Sequence, residues 1–77
     1  MNSKITSKAF AKLEGKSDSD MVALTLRTTT TLSEEQHEQL MQLGGKLLYD
    51  SGIVAAVEIP AGHVDDLAAW DIVLEII

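Results

Sequence analysis

The sequence lacks several features, and each absence excludes a class of protein. It has no cysteine, which excludes disulfide bonds and thiolate metal ligands and is typical of a reducing compartment. It has no apolar run of about 18 residues and no apolar stretch behind a basic start, so we expect neither a membrane span nor a signal peptide. These absences predict a cytoplasmic protein that has no membrane partner.

Positive charge is also scarce. Six Lys and Arg stand against 12 Asp and Glu, which gives a net charge of −6. Residues 1–20 carry four Lys against three acids, a net of +1, whereas residues 21–77 carry two basic residues against nine acids, a net of −7. Nucleic-acid surfaces need clustered Lys and Arg, so we expect no nucleic-acid partner. The acidic part either keeps a small protein dispersed in water or suits a basic or neutral protein partner.

The first 20 residues are mostly polar. Lys4, Lys8, Lys12 and Lys16 recur every four positions, and on a helix they would form one stripe of like charges that repel one another. The apolar face opposite this stripe is thin, so an isolated helix would be marginal. We therefore predict a flexible polar tail over residues 1–20, with a nascent helix around residues 4–13. The alternative is an arm that binds a partner or an anionic surface.

Residues 21–45 show a strand followed by a helix. Val22, Leu24 and Leu26 alternate with less apolar residues, the period of a half-buried strand. Ser33 and Gln36 have the spacing of a capping box, which predicts a helix start. Two glycines, at positions 44 and 45, end that helix because glycine tolerates left-handed backbone conformations.

Residues 46–77 predict two strands, a short helix and a closing strand. Residues 46–50 form the first strand and residues 50–52 the turn, and the β-branched run 53–59 is stopped by Pro60. A helix of about residues 62–70 follows, with Trp70 packed on the core, and residues 72–77 alternate as a strand. The order βαββαβ predicts an α+β, ferredoxin-like sandwich over residues 21–77. In that fold two helices cover one face of a four-stranded antiparallel sheet, and the other face is bare.

Motifs for catalysis and for metal binding are missing. The sequence has no GxGxxG, no phosphate-binding loop and no GxSxG elbow. His63 lies near Asp65 and Asp66, but these are too few ligands for a specific metal site, and a surface cluster at a helix start is the better interpretation. Arg27 is followed by four threonines and not by the glycine-rich cradle of an acylphosphatase. We expect a protein that is not an enzyme and needs no cofactor or metal.

Several short motifs follow one another over the second half of the chain. They are Leu43-Gly44-Gly45-Lys46, Tyr49, Ala56-Val57-Glu58-Ile59-Pro60, Leu67-Ala68, Val73 and Ile76. Their order and spacing resemble a known family, the propeptide domains of subtilisin-like serine proteases and their small cytosolic inhibitor relatives. The resemblance covers about residues 21–77.

The resemblance implies a protein-binding module. In that family the bare sheet face packs on two parallel surface helices of the protease, and the chain beyond the last strand lies in the active-site cleft. Such a domain inhibits the protease or assists its folding, and we expect it to be a monomer when free. The alternative is a ferredoxin-like regulatory or self-associating module without inhibitory activity. Carried over by position, the partner-binding residues would be Ala23, Thr25, Arg27, Val54, Ala56, Glu58, Val73 and Glu75 on the bare face, with Ile76 and Ile77 reaching toward the cleft.

Overall fold

A computed structural model describes residues 3–77 and has the α+β class that the sequence predicts. Its helices are α1 (Ser7–Leu13), α2 (Glu34–Gln42) and α3 (Val64–Ala68), and a 3-10 turn, Ala61–His63, precedes α3. Its strands are β1 (Met21–Thr28), β2 (Lys46–Asp50), β3 (Val54–Pro60) and β4 (Val73–Ile76).

The four strands form one antiparallel sheet in the order β2-β3-β1-β4. The long central pair, β1 with β3, runs in unbroken register from Met21 opposite Pro60 to Arg27 opposite Val54. The two shorter strands, β2 and β4, lie at the edges of the sheet. No helix within residues 3–77 has the length and apolar character needed to cross a bilayer.

Alternate residues of the strands point into one core. Leu24, Leu26, Val57 and Ile59 are at most 2% exposed, and burial of each such side chain contributes about 1.5–3 kcal/mol. All three helices add side chains to the same cluster, so all three pack on one side of the sheet, where the sequence predicted two. The helical members are Ala9 from α1, Leu40 from α2, and Val64, Leu67 and Ala68 from α3.

The start of α2 follows from the capping box that the sequence predicts. The Ser33 hydroxyl accepts the backbone N–H of Gln36 at 3.2 Å, and the Gln36 side chain accepts the backbone N–H of Ser33 at 2.9 Å. After α2 the chain turns at Gly44, whose φ is +85°. A Cβ atom on Gly45 would lie 2.8 Å from both the Glu58 carbonyl oxygen and the Leu40 side chain, so β2 needs a glycine there to approach α2 and β3.

The tight turn between β2 and β3 also matches the prediction. The Asp50 carboxylate accepts the backbone N–H of Gly52 at 2.9 Å, and Gly52 has a φ of +94°. The backbone N–H of Ser51 donates to the Val54 carbonyl at 2.9 Å and closes the turn. An Asp two residues before a left-handed glycine is a frequent combination in such turns.

A short helix, α3, precedes the last strand. No side-chain hydrogen bond caps the start of α3. Val64, Leu67 and Ala68 are all at most 2% exposed, so packing rather than capping holds the helix in place. Trp70 follows and packs partly buried against the core, as predicted.

The N-terminal segment corrects the prediction of a flexible tail separate from the folded part. Residues 7–13 form α1, inside the range where a nascent helix was expected, and Thr6 caps it by accepting the Ala9 N–H at 3.3 Å. Ile5 is 7% exposed and Ala9 is fully buried, so both belong to the core. The thin apolar face, marginal for an isolated helix, is sufficient here because the sheet supplies a surface for it to pack on.

Residues 4–6 also add a short parallel bridge to the outer edge of β4. The Ile76 N–H donates to the Lys4 carbonyl at 2.8 Å, and the Thr6 N–H donates to the Ile76 carbonyl at 3.0 Å. The Lys4 ammonium donates to the Trp70 carbonyl at 3.1 Å. The N-terminal segment therefore covers a sheet edge that would otherwise be open.

Candidate docking face of the sheet

The side of the sheet opposite the helices is open. In β1 and β3, the residues between the core positions face this side, and none of them is buried. Within residues 3–77 no helix packs over them, because the apolar faces of all three helices join the core on the other side. We call this surface the open face. From the strand register its members are Ala23, Thr25, Arg27, Lys46, Tyr49, Val54, Ala56, Glu58 and Glu75.

The middle of the open face is lined by small side chains. Thr25 lies directly opposite Ala56, and Ala23 lies opposite Glu58. Five of the sequence-predicted residues, namely Ala23, Thr25, Val54, Ala56 and Glu58, therefore lie together as expected. Small side chains let a helix or strand of a partner approach the sheet closely. The two central strands that carry them, β1 and β3, are joined by antiparallel backbone hydrogen bonds.

Two cross-strand ion pairs flank this small-residue centre. The Arg27 guanidinium Nε donates to the Glu75 carboxylate at 2.8 Å, and the Lys46 ammonium lies 3.6 Å from the Glu58 carboxylate. Glu75 and Glu58 are 33% and 34% exposed in their side chains, while their cationic partners are at least half exposed. Exposed pairs of this kind contribute about 0–1 kcal/mol, so they leave the carboxylates able to exchange partners.

Val73 was predicted to lie on this face, and the structure places it in the core. Its side chain is 1% exposed, and it pairs with the buried Thr28. The reason is an irregularity in β4: Glu75 pairs with Arg27 and Val73 pairs with Thr28, which leaves Leu74 as an extra residue. Simple alternation puts Val73 and Glu75 on the same face, but an extra residue between them reverses the side of one.

The two C-terminal isoleucines are part of the sheet instead of reaching away from it. Ile76 is fully buried opposite Leu26, so it cannot contact a partner. Ile77 exchanges two backbone hydrogen bonds with Thr25, at 2.8 and 2.9 Å, and its carbonyl accepts the Lys12 ammonium at 3.3 Å. Ile77 is half-buried beside the open face, so of the two it alone remains available for docking.

Sequence reasoning missed two members of the open face, Lys46 and Tyr49. Tyr49 lies opposite Ala56 and is 57% exposed, so it presents a large aromatic surface beside the small-residue centre. The signal was hidden because β2 also contains an extra residue, Leu48, between the pairs formed by Leu47 and Tyr49. A simple alternation from Lys46 would place Tyr49 on the opposite face.

A groove of about 230 Å³ lies between α2 and β2. Leu40, Met41 and Leu47 make it mainly apolar, and His37 lines it too. The Nε2 atom of His37 is buried and has no hydrogen-bond partner within residues 3–77. His37 itself is partly buried and lies at the border of the core.

The second histidine belongs to a local surface contact. His63 Nδ1 lies 2.8 Å from the Asp66 carboxylate, three residues along the chain, and both side chains are about half exposed. In the part of the chain that the structure describes, no group of three or more His, Cys, Asp or Glu side chains is arranged to hold a metal ion. This contact is a feature of the start of α3.

Comparisons with protein-family models, with curated proteins and with solved structures found no match to this chain.

Proposed function

We propose that this chain is a protein-binding module of ferredoxin-like arrangement that docks on a subtilisin-like serine protease through the open face. The observation that carries the proposal is a continuous sheet surface with a centre of small side chains, over which no element of residues 3–77 packs. The strand order β2-β3-β1-β4, with α2 and α3 in the two crossings, supports the ferredoxin-like arrangement. The motifs over residues 43–76 resemble those of subtilisin propeptide domains, and this resemblance is the reason for proposing a subtilisin-like protease as the partner.

The chemistry of the open face suits a pair of surface helices. Thr25 and Ala56 are short, so a helix can come close to the sheet between the charged margins. Glu58 and Glu75 at those margins can accept hydrogen bonds from the N–H groups at helix N-termini, where the helix dipole favours negative charge. Their present cationic partners are exposed and weakly held, so a docking helix can replace them at little cost.

Docking and inhibition are separate steps of the proposal. In the family that the chain resembles, the segment beyond the closing strand fills the active-site cleft. Here Ile76 and Ile77 are both paired within the sheet, so the described residues supply the docking step. Inhibition of the protease, or assistance to its folding, would follow from docking where further residues reach the cleft.

Docking is tested by titrating the chain with a subtilisin in a calorimeter at tens of micromolar. A Thr25→Arg variant places a long charged side chain in the small-residue centre and should lower the affinity by at least about tenfold, which corresponds to about 1.4 kcal/mol. Thr30→Arg is the matched control, because Thr30 is exposed and lies in the loop after β1. Absence of binding by the unaltered chain, or equal effects of the two variants, would contradict docking through this face.

Inhibition is tested by peptide hydrolysis in the presence of the chain. A version with several family-like residues added after Ile77 should slow the protease more than the unaltered chain does, since the added segment can enter the cleft. If both versions bind and neither slows hydrolysis, the second candidate, a regulatory module without inhibitory activity, is favoured. The pairing of Ile77 with Thr25 is the observation behind that candidate.

A further inference from the structure

The last two residues of the sheet, Ile76 and Ile77, are held from both sides. We call them the C-terminal pair. On the inner side, Ile77 exchanges two backbone hydrogen bonds with Thr25 of β1, at 2.8 and 2.9 Å. On the outer side, the Ile76 N–H donates to the Lys4 carbonyl at 2.8 Å, and the Ile76 carbonyl accepts the Thr6 N–H at 3.0 Å. To leave the sheet, the C-terminal pair must break hydrogen bonds with both neighbours.

Side chains of the N-terminal segment, residues 4–13, strengthen the outer contact. The Thr6 hydroxyl donates to the Ile76 carbonyl at 2.8 Å, and the same hydroxyl accepts the Ala9 N–H at 3.3 Å as the cap of α1. The Lys12 ammonium of α1 donates to the Ile77 carbonyl at 3.3 Å. The Thr6 hydroxyl therefore joins the start of α1 to the C-terminal pair.

The N-terminal segment can detach without unfolding of the whole sheet. Its helix, α1, has only seven residues, too few to be stable alone. The link between α1 and β1, residues 14–20, is exposed throughout. The central strands β1 and β3 pair with each other along their length and do not use the N-terminal segment for that pairing. Segments with few buried contacts open locally at a lower free energy than the whole domain.

We propose that the N-terminal segment is a latch that holds the C-terminal pair in the sheet, and that release of this latch regulates inhibition of the protease. The regulatory part rests on the proposed function, in which the open face docks and inhibition needs residues that reach the cleft. With the latch closed, the chain docks while the C-terminal pair stays in the sheet. With the latch open, only the bonds to Thr25 and the buried side chain of Ile76 hold the pair, and the end of β4 is able to turn toward the cleft.

The released state is a minor one, because release takes the fully buried Ile76 out of the core. The apparent affinity of a ligand for a protein falls in proportion to the fraction of the protein in the binding-competent state. A substitution that raises the released fraction should therefore strengthen inhibition by the same factor. This equality links a measurement on the free chain to a measurement with the protease.

The substitution Thr6→Asp weakens the latch and keeps the cap of α1. Aspartate caps a helix at least as well as threonine, but its carboxylate has no proton to donate to the Ile76 carbonyl at neutral pH. Loss of this hydrogen bond should speed amide hydrogen exchange at Ile76, Ile77 and Thr25 by about threefold to tenfold. The measurement uses the isotope-labelled chain without any protease.

Two controls separate release of the latch from general destabilisation. Thr6→Ser keeps a hydroxyl that both donates and accepts, so its exchange rates should match those of the unaltered chain. Leu24 and Val57 lie opposite each other in the central strands, and their amides should exchange at the same rate in both variants. Equal exchange of the C-terminal pair in Thr6→Asp and Thr6→Ser, or an equal rise at Leu24 and Val57, would overturn the latch.

Peptide hydrolysis by a subtilisin tests the regulatory part. Thr6→Asp should inhibit more strongly than Thr6→Ser by the factor that the exchange rates give, about threefold to tenfold. Docking on a subtilisin whose active site is blocked, measured by calorimetry, should be equal for the two variants, since Thr6 is not part of the open face. Faster exchange without stronger inhibition by a chain that docks would overturn the regulatory role. Absence of docking by either variant would contradict the proposed function instead, and the exchange rates alone would then decide whether the latch exists.

Discussion

Replacement of Ile5 by alanine is the sharpest test of how the N-terminal segment is held. Ile5 is 7% exposed, belongs to the hydrophobic core and forms the parallel bridge with Ile76. The sequence alone places this residue in a flexible tail, where its truncation would have almost no effect. In the structure the same substitution opens a cavity between α1 and the edge of the sheet.

The expected cost follows from the atoms removed. Ile5→Ala deletes three carbon atoms, and at about 0.8 kcal/mol for each buried methylene-sized group the lost burial is about 2.4 kcal/mol. A residual cavity adds to this, so a total of about 2–4 kcal/mol is expected. A chain of 77 residues has a total stability of roughly 4–12 kcal/mol, so the variant should stay mostly folded in the cold but lose a large part of its stability.

Urea unfolding followed by the fluorescence of Trp70 measures the change. The midpoint should fall with little change in the slope, and the melting temperature should fall by at least about 8 °C. Leu74→Ala is the control, because Leu74 is 44% exposed and should cost less than about 0.5 kcal/mol. If Ile5→Ala lowers the free energy of unfolding by no more than this control does, residues 3–14 do not pack on the sheet as described.

Three further substitutions probe other parts of the fold, each by urea unfolding. Gly45→Ala should destabilise by about 1–3 kcal/mol because its Cβ would lie 2.8 Å from the Leu40 side chain, and a neutral effect would contradict the close approach of α2 and β2. Ser33→Ala should cost about 0.5–2 kcal/mol through loss of the α2 cap, with Ser33→Asp as the rescuing control. Arg27→Ala should cost less than about 1 kcal/mol, since its ion pair with Glu75 is exposed, and a larger loss would mean that the pair is structurally important.

The sequence predicts the sheet and α2 well because their signals are local. Alternation in β1, the capping box at Ser33 and the glycine turn at residues 50–52 each depend on neighbouring residues, and the structure has all three. The small-residue centre of the open face follows from the same alternation in β1 and β3. Where the local alternation of apolar and polar residues alone decides which face a residue occupies, the sequence is enough to place its side chain.

The wrong predictions concern residues whose positions depend on contacts between parts of the chain that are far apart in sequence. α1 has too narrow an apolar face to be stable alone, and only the edge of β4 and the core beneath it make residues 3–14 part of the fold. The extra residues Leu48 and Leu74 depend on pairing with neighbouring strands, and no local pattern predicts them. Leu74 accounts for the wrong placement of Val73, and Leu48 accounts for the omission of Tyr49 from the open face.

The most direct test of the central proposal is to map amide chemical shifts of the isotope-labelled chain during titration with an active-site-blocked subtilisin. Docking through the open face predicts that the largest changes cluster at Ala23, Thr25, Ala56 and Glu58, while the helices change little. Changes confined to α1, α2 and α3, or no change at protease concentrations of tens of micromolar, would contradict the proposal.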